Sequence, residues 1–236
     1  LIAGFILPPL ANNFVKFHQG FNIYNIGFTS GVIGTLFMSL FRGFGINPDP
    51  NFQISSGNNL VFTIYFSVIF LSMIIAGLFI NNGLGGYLRM LKRSGRLVCD
   101  FVTMDGFGLS LFNMGLLGLL SLGYVVIIGG EINGPVIGGI LTIVGFASFG
   151  KHIRNVLPIL IGVYIASIFK IWDTNQPGTV LATLFGTTLA PIAGEFGWKA
   201  GIIAGFVHMS MVMNVGYLNG GINLYNNGFA GGIVAA

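Results

Sequence analysis

Six side chains near the two ends of the chain could handle a solute: Asn22, Tyr24 and Asn25, and then Asn223, Tyr225 and Asn226. An Asn side chain offers one carbonyl acceptor and two amide donors, and a Tyr hydroxyl both donates and accepts. Placed in an apolar segment, such groups can stand in for the hydration shell of a small, neutral, polar solute, because leaving them unpaired in hydrocarbon is costly. On a continuous helix Asn22, Asn25 and Thr29 fall at i, i+3 and i+7 and share a face, as do Asn223 and Asn226. Phe28 and Phe229 follow on the next turn and could form apolar constrictions on a path lined by the amides. The competing reading is that the Asn and Tyr groups bond neighbouring helices, each contributing about 0.6 kcal/mol.

Three further residues could couple transport to an ion gradient. Asp105 and Glu195 stand at the ends of apolar runs beside glycines, and His208 stands in the middle of one. A charge costs about 2.5–3.5 kcal/mol at the centre of a membrane helix, so a carboxylate or imidazole there is a candidate proton or cation site. Other chemistry is excluded. No nucleophile has a base near it in sequence, no phosphate-cradling loop is followed by a helix, and no metal-ligand cluster is spaced for binding. Cys99 is alone and has no thiol partner. No enzyme activity, cofactor or metal is expected.

The elements that would hold these side chains are membrane helices. The chain is 54% hydrophobic and only 7% charged, which leaves too few charges to clothe a soluble domain of this size. Residues 59–80 run without a charge, and about 20 such residues span a hydrocarbon core as a helix. Apolar runs predict spans near 1–15, 20–42, 59–81, 106–128, 134–149, 156–171, 178–194, 198–218 and 219–236. The runs at 134–149 and 178–194 are short, rich in Gly and opened by Pro135 and Pro177, which suits half-helices or re-entrant segments. Gly20 and Gly221 precede the Asn motifs, where a helix break would free backbone groups. Gly27 with Gly31, and Gly228 with Gly232, form small-xxx-small faces for close helix packing.

The two motif-bearing ends also align with one another. Residues 1–35 match residues 202–236 without a gap, and Gly20–Gly31 shares 7 of 12 residues with Gly221–Gly232. The shared pattern is G-x-N-x-Y-N-x-G-F-x-x-G. We read a duplication, so that the 236 residues are a single transmembrane domain carrying equivalent segments of two repeats. Arg89, Lys92, Arg93 and Arg96 mark one loop as cytoplasmic, and Lys151, His152 and Arg154 mark a second on the same side. Counting spans from these loops makes the two motif helices antiparallel, an inverted repeat. Leu1 and the apolar run cut at Ala236 are expected to mark a fragment of a longer chain.

With the repeat in view, the chain resembles an uncharacterised family of bacterial polytopic membrane proteins, a domain of unknown function built from two repeats. The residues that carry this are Gly20–Gly31, Asn133–Gly139 and Phe149–His152. More distantly, the Gly-x-Asn and Asn-x-Gly-Phe pattern is similar to the repeated signature of urea transporters. That resemblance implies inverted halves, Phe slots and amide-lined sites.

The expectation is an all-α, polytopic helical bundle in the bacterial cytoplasmic membrane. It would act as a channel or facilitative transporter for a small neutral polar solute, with the two Asn-Tyr-Asn motifs facing each other. A proton- or sodium-coupled transporter using Asp105, Glu195 or His208 is the first alternative, and a non-transporting scaffold or subunit is the second. Its partners would be the lipid bilayer and the solute, with no nucleic acid and with homo-oligomer formation left open.

Overall fold

A computed structural model describes residues 1–47, 54–169, 171–220 and 226–236. The described residues are all α-helical apart from loops and short 3-10 turns. In chain order they form α1 (Ile2–Phe14), α2 (Asn25–Gly43), α3 (Asn59–Ile80), α4 (Tyr87–Met90), α5 (Phe101–Asp105) and α6 (Phe107–Ile127). There follow α7 (Gly134–Phe146), α8 (Ile153–Phe169), α9 (Pro177–Gly186), α10 (Ala190–Phe196), α11 (Trp198–Val215) and α12 (Asn226–Val234). A 3-10 turn over Thr187–Leu189 joins α9 to α10, so the apolar run at 178–194 is one helix broken near its middle.

Among the described residues, five segments are long and apolar enough to cross a membrane: α2, α3, α6, α9 with α10, and α11 with its 3-10 tail. The helix α3 makes the lipid reading concrete. Leu60, Val61, Ile64, Val68, Leu71, Ile75 and Phe79 all lie exposed along it. A water-facing helix of that composition would be a large aggregation-prone patch, whereas in a bilayer it is the expected outer face.

Small residues set the closest helix pairs. A Cβ added to Gly77 would lie 2.5 Å from the backbone nitrogen of Phe112, so α3 and α6 touch through their backbones. The same is true of α8 and α11, where a Cβ on Gly162 would collide with the carbonyl of Ile202. In lipid, where apolar side chains gain little by leaving solvent, such backbone-close packing is a main source of helix association. Around it, Phe70, Leu117, Val125, Ile140, Ile143, Val156 and Leu184 build the largest apolar core.

Caps account for several boundaries. Asn133 accepts the backbone N–H of Val136 at 3.1 Å and Pro135 follows at the first turn, which starts α7 sharply. Asp100 accepts from the N–H groups of Val102 and Thr103 at 2.9 and 3.1 Å and so caps α5.

One sequence expectation is corrected here. The second span does not begin at residue 20: residues 21–24 are non-helical, and Gly20 has φ +85°, a conformation glycine adopts at little cost. Asn22 therefore does not share a helix face with Asn25 and Thr29. The mid-chain break leaves α1 and α2 as two helices joined by a chain segment inside the bundle.

Candidate functional site

Residues 20–24, which lead into α2, are buried, so each of their polar groups needs a partner within the protein. Asn22 is fully buried and supplies most of them. Its amide nitrogen donates to the carbonyl of Gly228 on α12 at 3.0 Å. Its amide oxygen accepts from the hydroxyl of Thr188 and, at 3.2 Å, from the backbone N–H of Tyr24. Thr188 in turn accepts the Tyr24 N–H at 3.0 Å, and its carbonyl accepts the N–H of Ile23 at 3.2 Å. The unwound chain before α2 is thus sewn onto the break between α9 and α10.

On the other side the same segment meets the basic loop after α4. The N–H of Leu97 donates to the carbonyl of Gly20 at 3.1 Å, and the guanidinium of Arg96 lies over the ring of Phe21. A Cβ on Gly95 would collide with the carbonyl oxygen of Gly150, so this loop also packs backbone to backbone against the connection between α7 and α8.

That connection holds the unexpected residue. Lys151 is fully buried. Its Nζ donates to the Thr187 hydroxyl at 2.7 Å, pairs with the Tyr24 hydroxyl, and sits 4.4 Å from the Tyr24 ring centroid and 5.6 Å from that of Phe146. The backbone around it is fixed by Asn113, which donates to the carbonyls of Ala147 and Lys151 at 2.7 Å each. Among the described residues no carboxylate pairs with it: the ion pairs there are those of Asp105 with Arg93 and Arg89. Burial without a counter-charge pushes Lys151 well below the ordinary lysine range.

Tyr24 and Phe146 also form the wall of a cavity of about 1000 Å³. Its lining also includes Ile23 just before α2, Asn25 and Gly27 at the start of α2, Pro135 and Thr142 on α7, and Phe185 and Gly228. No side chain caps the N-terminus of α2, whose first backbone N–H groups have no intrahelical acceptors. The cavity is mostly apolar, with Tyr24, Asn25 and Thr142 as its polar side chains.

The helices α2 and α12 cross beside it. A Cβ on Gly228 would lie 2.7 Å from the Cα of Gly27, one on Gly31 would lie 2.5 Å from Phe229, and one on Gly232 would collide with Phe28. Phe28 and Phe229 stack with centroids 6.2 Å apart. Near its far end α2 meets the chain that leads into α12: Thr35 donates to Asn219 at 3.3 Å, and Arg42 bonds the carbonyl of Tyr217 at 2.6 Å. Asn22, which leads into α2, meets Gly228 on α12. The two helices therefore pass one another in opposite senses.

The other candidates from the sequence are placed as follows. Asn25 accepts from the imidazole of His18, at 2.9 Å, and donates to the carbonyl of Ala11 at 2.9 Å, which spends its amide on structure. Asn226 accepts from Asn219 at 2.9 Å. Asn223 and Tyr225 lie outside the described residues. Phe28 and Phe229 stack on one another and pack against Gly232 and Gly31 where α2 and α12 cross. Asp105 has a buried carboxylate held by Arg93 at 2.7 and 3.0 Å, Glu195 is exposed, and His208 is buried 3.3 Å from the Asn227 amide oxygen.

Lys151 and His152, expected from the sequence to mark a cytoplasmic loop, are both fully buried in the protein. His152 bonds the carbonyl of Arg93 at 2.9 Å and stacks on Phe101. A signal for this was present. The apolar helices on either side, of 13 and 17 residues, are both short and are joined by a tight Gly-containing link, a pattern that suits a connection packed inside a bundle. Thr187 and Thr188, a hydroxyl pair inside an apolar run, were equally readable.

The architecture thus defines an all-helical, multi-pass membrane protein, with its most elaborate polar cluster where helices break. The chain belongs to the family described as "Protein of unknown function (DUF1576)", which matches residues 1–43 and 79–236. Those stretches contain every residue of the cluster around Asn22, Lys151 and Thr188. No curated protein and no solved structure matches the chain.

Proposed function

We propose that the protein is a membrane transporter or channel for small polar solutes, built from two inverted repeats, with its solute site at the break before α2. The observation that carries this is the unwound segment Gly20–Tyr24, buried and hydrogen-bonded to a second helix break at Thr187–Thr188, beside a cavity of about 1000 Å³. Irregular backbone at membrane depth is tolerated where it is buried in protein or lines a cavity, and transporters place their sites at such breaks.

Contacts related by the 201-residue offset support the repeat. Phe28 against Gly232 is matched by Phe229 against Gly31, and Gly27 meets its own counterpart Gly228. The bond of His18 to Asn25 corresponds to that of Asn219 to Asn226, and the bond of Asn13 to Pro9 corresponds to that of Asn214 to Ser210. Gln19 and Gly220, also equivalent, both adopt positive φ. Shared composition does not account for matched contacts of this kind.

Asp105 is neutralised by arginine and Glu195 is exposed, which favours neither as a coupling group. We place the membrane as the bacterial cytoplasmic membrane, from the helical spans and the basic loops.

The test is flux through the full-length protein in liposomes. Stopped-flow light scattering across urea, glycerol, formamide and acetamide is expected to show protein-dependent permeability that falls at least tenfold in the Asn22→Ala variant. Permeability equal to that of empty liposomes for every solute, with and without a proton gradient, counts against transport. Flux left intact in a folded Asn22→Ala protein moves the site elsewhere.

A further inference from the structure

We infer that the cavity beside Tyr24 takes a small, singly charged carboxylate with an apolar body, and that binding it draws one proton onto Lys151. This deepens the proposed transport site and rests on that reading only for the direction of use.

The hydrogen bonds around Lys151 fit two protonation states. The Thr187 hydroxyl donates to the carbonyl of Leu184 at 2.6 Å, so toward Lys151 it acts as an acceptor. The Tyr24 hydroxyl has both the Lys151 amine and the Thr187 side chain as hydrogen-bonding neighbours, and its own proton can point to either. It can donate into the lone pair of a neutral amine or accept from an ammonium, with the heavy atoms in the same places. A lysine held by one acceptor and one ambivalent hydroxyl can gain or lose a proton without rearrangement.

The other groups around it leave the charge unbalanced. Asn113, on α6, presents its amide to the Lys151 carbonyl rather than to Nζ. The Tyr87 hydroxyl is turned to Asn113 at 3.2 Å. His152, next in the chain, directs its Nε2 to the Arg93 carbonyl, and Asp105 is taken up by Arg93 and Arg89. Among the described residues, α7 presents the Phe146 ring to the amine and the segment before α2 presents Tyr24. A buried ammonium without a counter-ion is disfavoured, and an anion brought alongside supplies the missing charge.

The cavity is where that anion would come. Tyr24 and Phe146, whose rings lie beside Nζ, form part of its wall, so that the amine sits directly behind the lining, and the first residues of α2, which has no side-chain cap, border the same cavity. Helix N-termini favour anionic groups. One lysine balances one charge, and the lining of Ile23, Pro135, Phe146 and Phe185 suits an apolar body rather than a strongly hydrated phosphate or sulfate. The balance is simple: a carboxylate and one proton from the medium enter, the proton adds to the Lys151 amine, and the occupied site is neutral overall. No bond in the solute changes.

The test is isothermal titration calorimetry on full-length protein in nanodiscs, with lactate, pyruvate, butyrate and benzoate as probes and inorganic phosphate as a control. Repeating each titration in buffers of different ionisation enthalpy counts the protons taken up. The expected result is about one proton per carboxylate bound, with affinity falling about tenfold per pH unit once the free amine is neutral, and no phosphate binding. Lys151→Met is expected to lose binding at least tenfold, and Lys151→Arg to bind without proton uptake. If neither variant folds, the proton count of the unaltered protein decides. Absence of binding for all four carboxylates, binding without proton uptake, or a Lys151→Met protein that binds and takes up protons normally overturns the inference. Flux of neutral solutes, measured on the same protein reconstituted in liposomes, separates the two readings. Neutral flux without carboxylate binding leaves the transport reading standing and this one fallen, and proton-linked binding without any flux does the reverse.

Discussion

Asp105 and Lys151 are both buried charged side chains, and the protein treats them in opposite ways. Asp105 sits where α5 ends, clamped by two bonds from Arg93 and approached by Arg89 at 3.5 Å. Lys151 sits among two hydroxyls and two aromatic rings, with no carboxylate paired to it among the described residues. A buried ion pair with its hydrogen bonds made is a structural device, and removing one partner strands the other. A lone buried amine costs stability and gives none of that return, so its presence calls for a function. The sequence suggested the reverse, with Asp105 as the coupling candidate and Lys151 as a loop charge.

The comparison can be broken most forcefully at Arg93. Arg93→Ala leaves the Asp105 carboxylate buried with only the longer contact to an exposed Arg89, and is expected to cost about 3 kcal/mol, near the low end for breaking a buried pair. Thermal unfolding of the full-length protein in detergent should show a drop of many degrees or loss of folded material. Lys151→Met should instead leave thermal stability at neutral pH unchanged or raised. Equal damage from both substitutions would erase the distinction.

The second way is pH. Lys151 is pushed down by burial, while in the unfolded chain it titrates near the ordinary lysine value of about 10.4. Between the folded and unfolded values the unfolded state binds more protons, so this residue makes stability rise with pH, by up to about 1.4 kcal/mol per unit. The difference between Lys151→Met and the unaltered protein should therefore be largest near pH 7 and shrink as the pH approaches 10. Unfolding temperatures of the two proteins across pH 7 to 9.5 measure this. A gap that is constant with pH would mean that Lys151 stays charged in the folded protein and has an undetected counter-ion.

Much of the frame was legible because membrane helices announce themselves through length and composition. The charge-free run at 59–80 is α3 to the residue, and the runs at 106–128 and 198–218 contain α6 and α11 within a few residues at each end. Pro135 and Pro177 marked the starts of α7 and α9, where proline's missing N–H costs nothing. The break at Gly20 was legible as a possibility from a glycine before a polar motif. Its extent was not: whether residues 21–24 continue a helix depends on Thr188 and Gly228, more than 160 positions away. The same holds for Lys151, whose burial is decided by how the short helices α7 and α8 seat their connection against Asn113 and Gly95. Local pattern reads elements well and reads depth poorly.

A smaller effect sharpens what the break itself contributes. Asn22 bonds Gly228, Thr188 and the Tyr24 backbone from a fully buried position. Asn22→Ala should cost about 2 kcal/mol, since a net hydrogen bond is worth about 1 kcal/mol and the stranded partners can share what remains. Asn22→Asp tests the chemistry further. It keeps both acceptor contacts but loses the donor to the Gly228 carbonyl and sets a carboxylate against that oxygen, so it should destabilise at least as much as Ala. A milder effect of Asp than of Ala, read from unfolding temperatures, would show that the new negative charge has found a cation at the break, and Lys151 is the one buried there.

The smallest expected effect lies on the rim of the same region. Arg96 bonds the Gln19 carbonyl at 2.5 Å and covers Phe21, but its side chain is exposed, and such contacts are worth about 1 kcal/mol or less. Arg96→Ala should barely move the unfolding temperature. It should still loosen the segment before α2, because the guanidinium is what ties Gln19, at positive φ, to the basic loop. Hydrogen exchange of the amides of residues 19–24 would then quicken while those of α5 and α6, beside the Asp105 pair, stay as they were. If both regions quickened together, the break and the ion-paired corner would open as one unit, and the contrast between a functional amine and a structural carboxylate would have to be drawn within a single cooperative piece of the molecule.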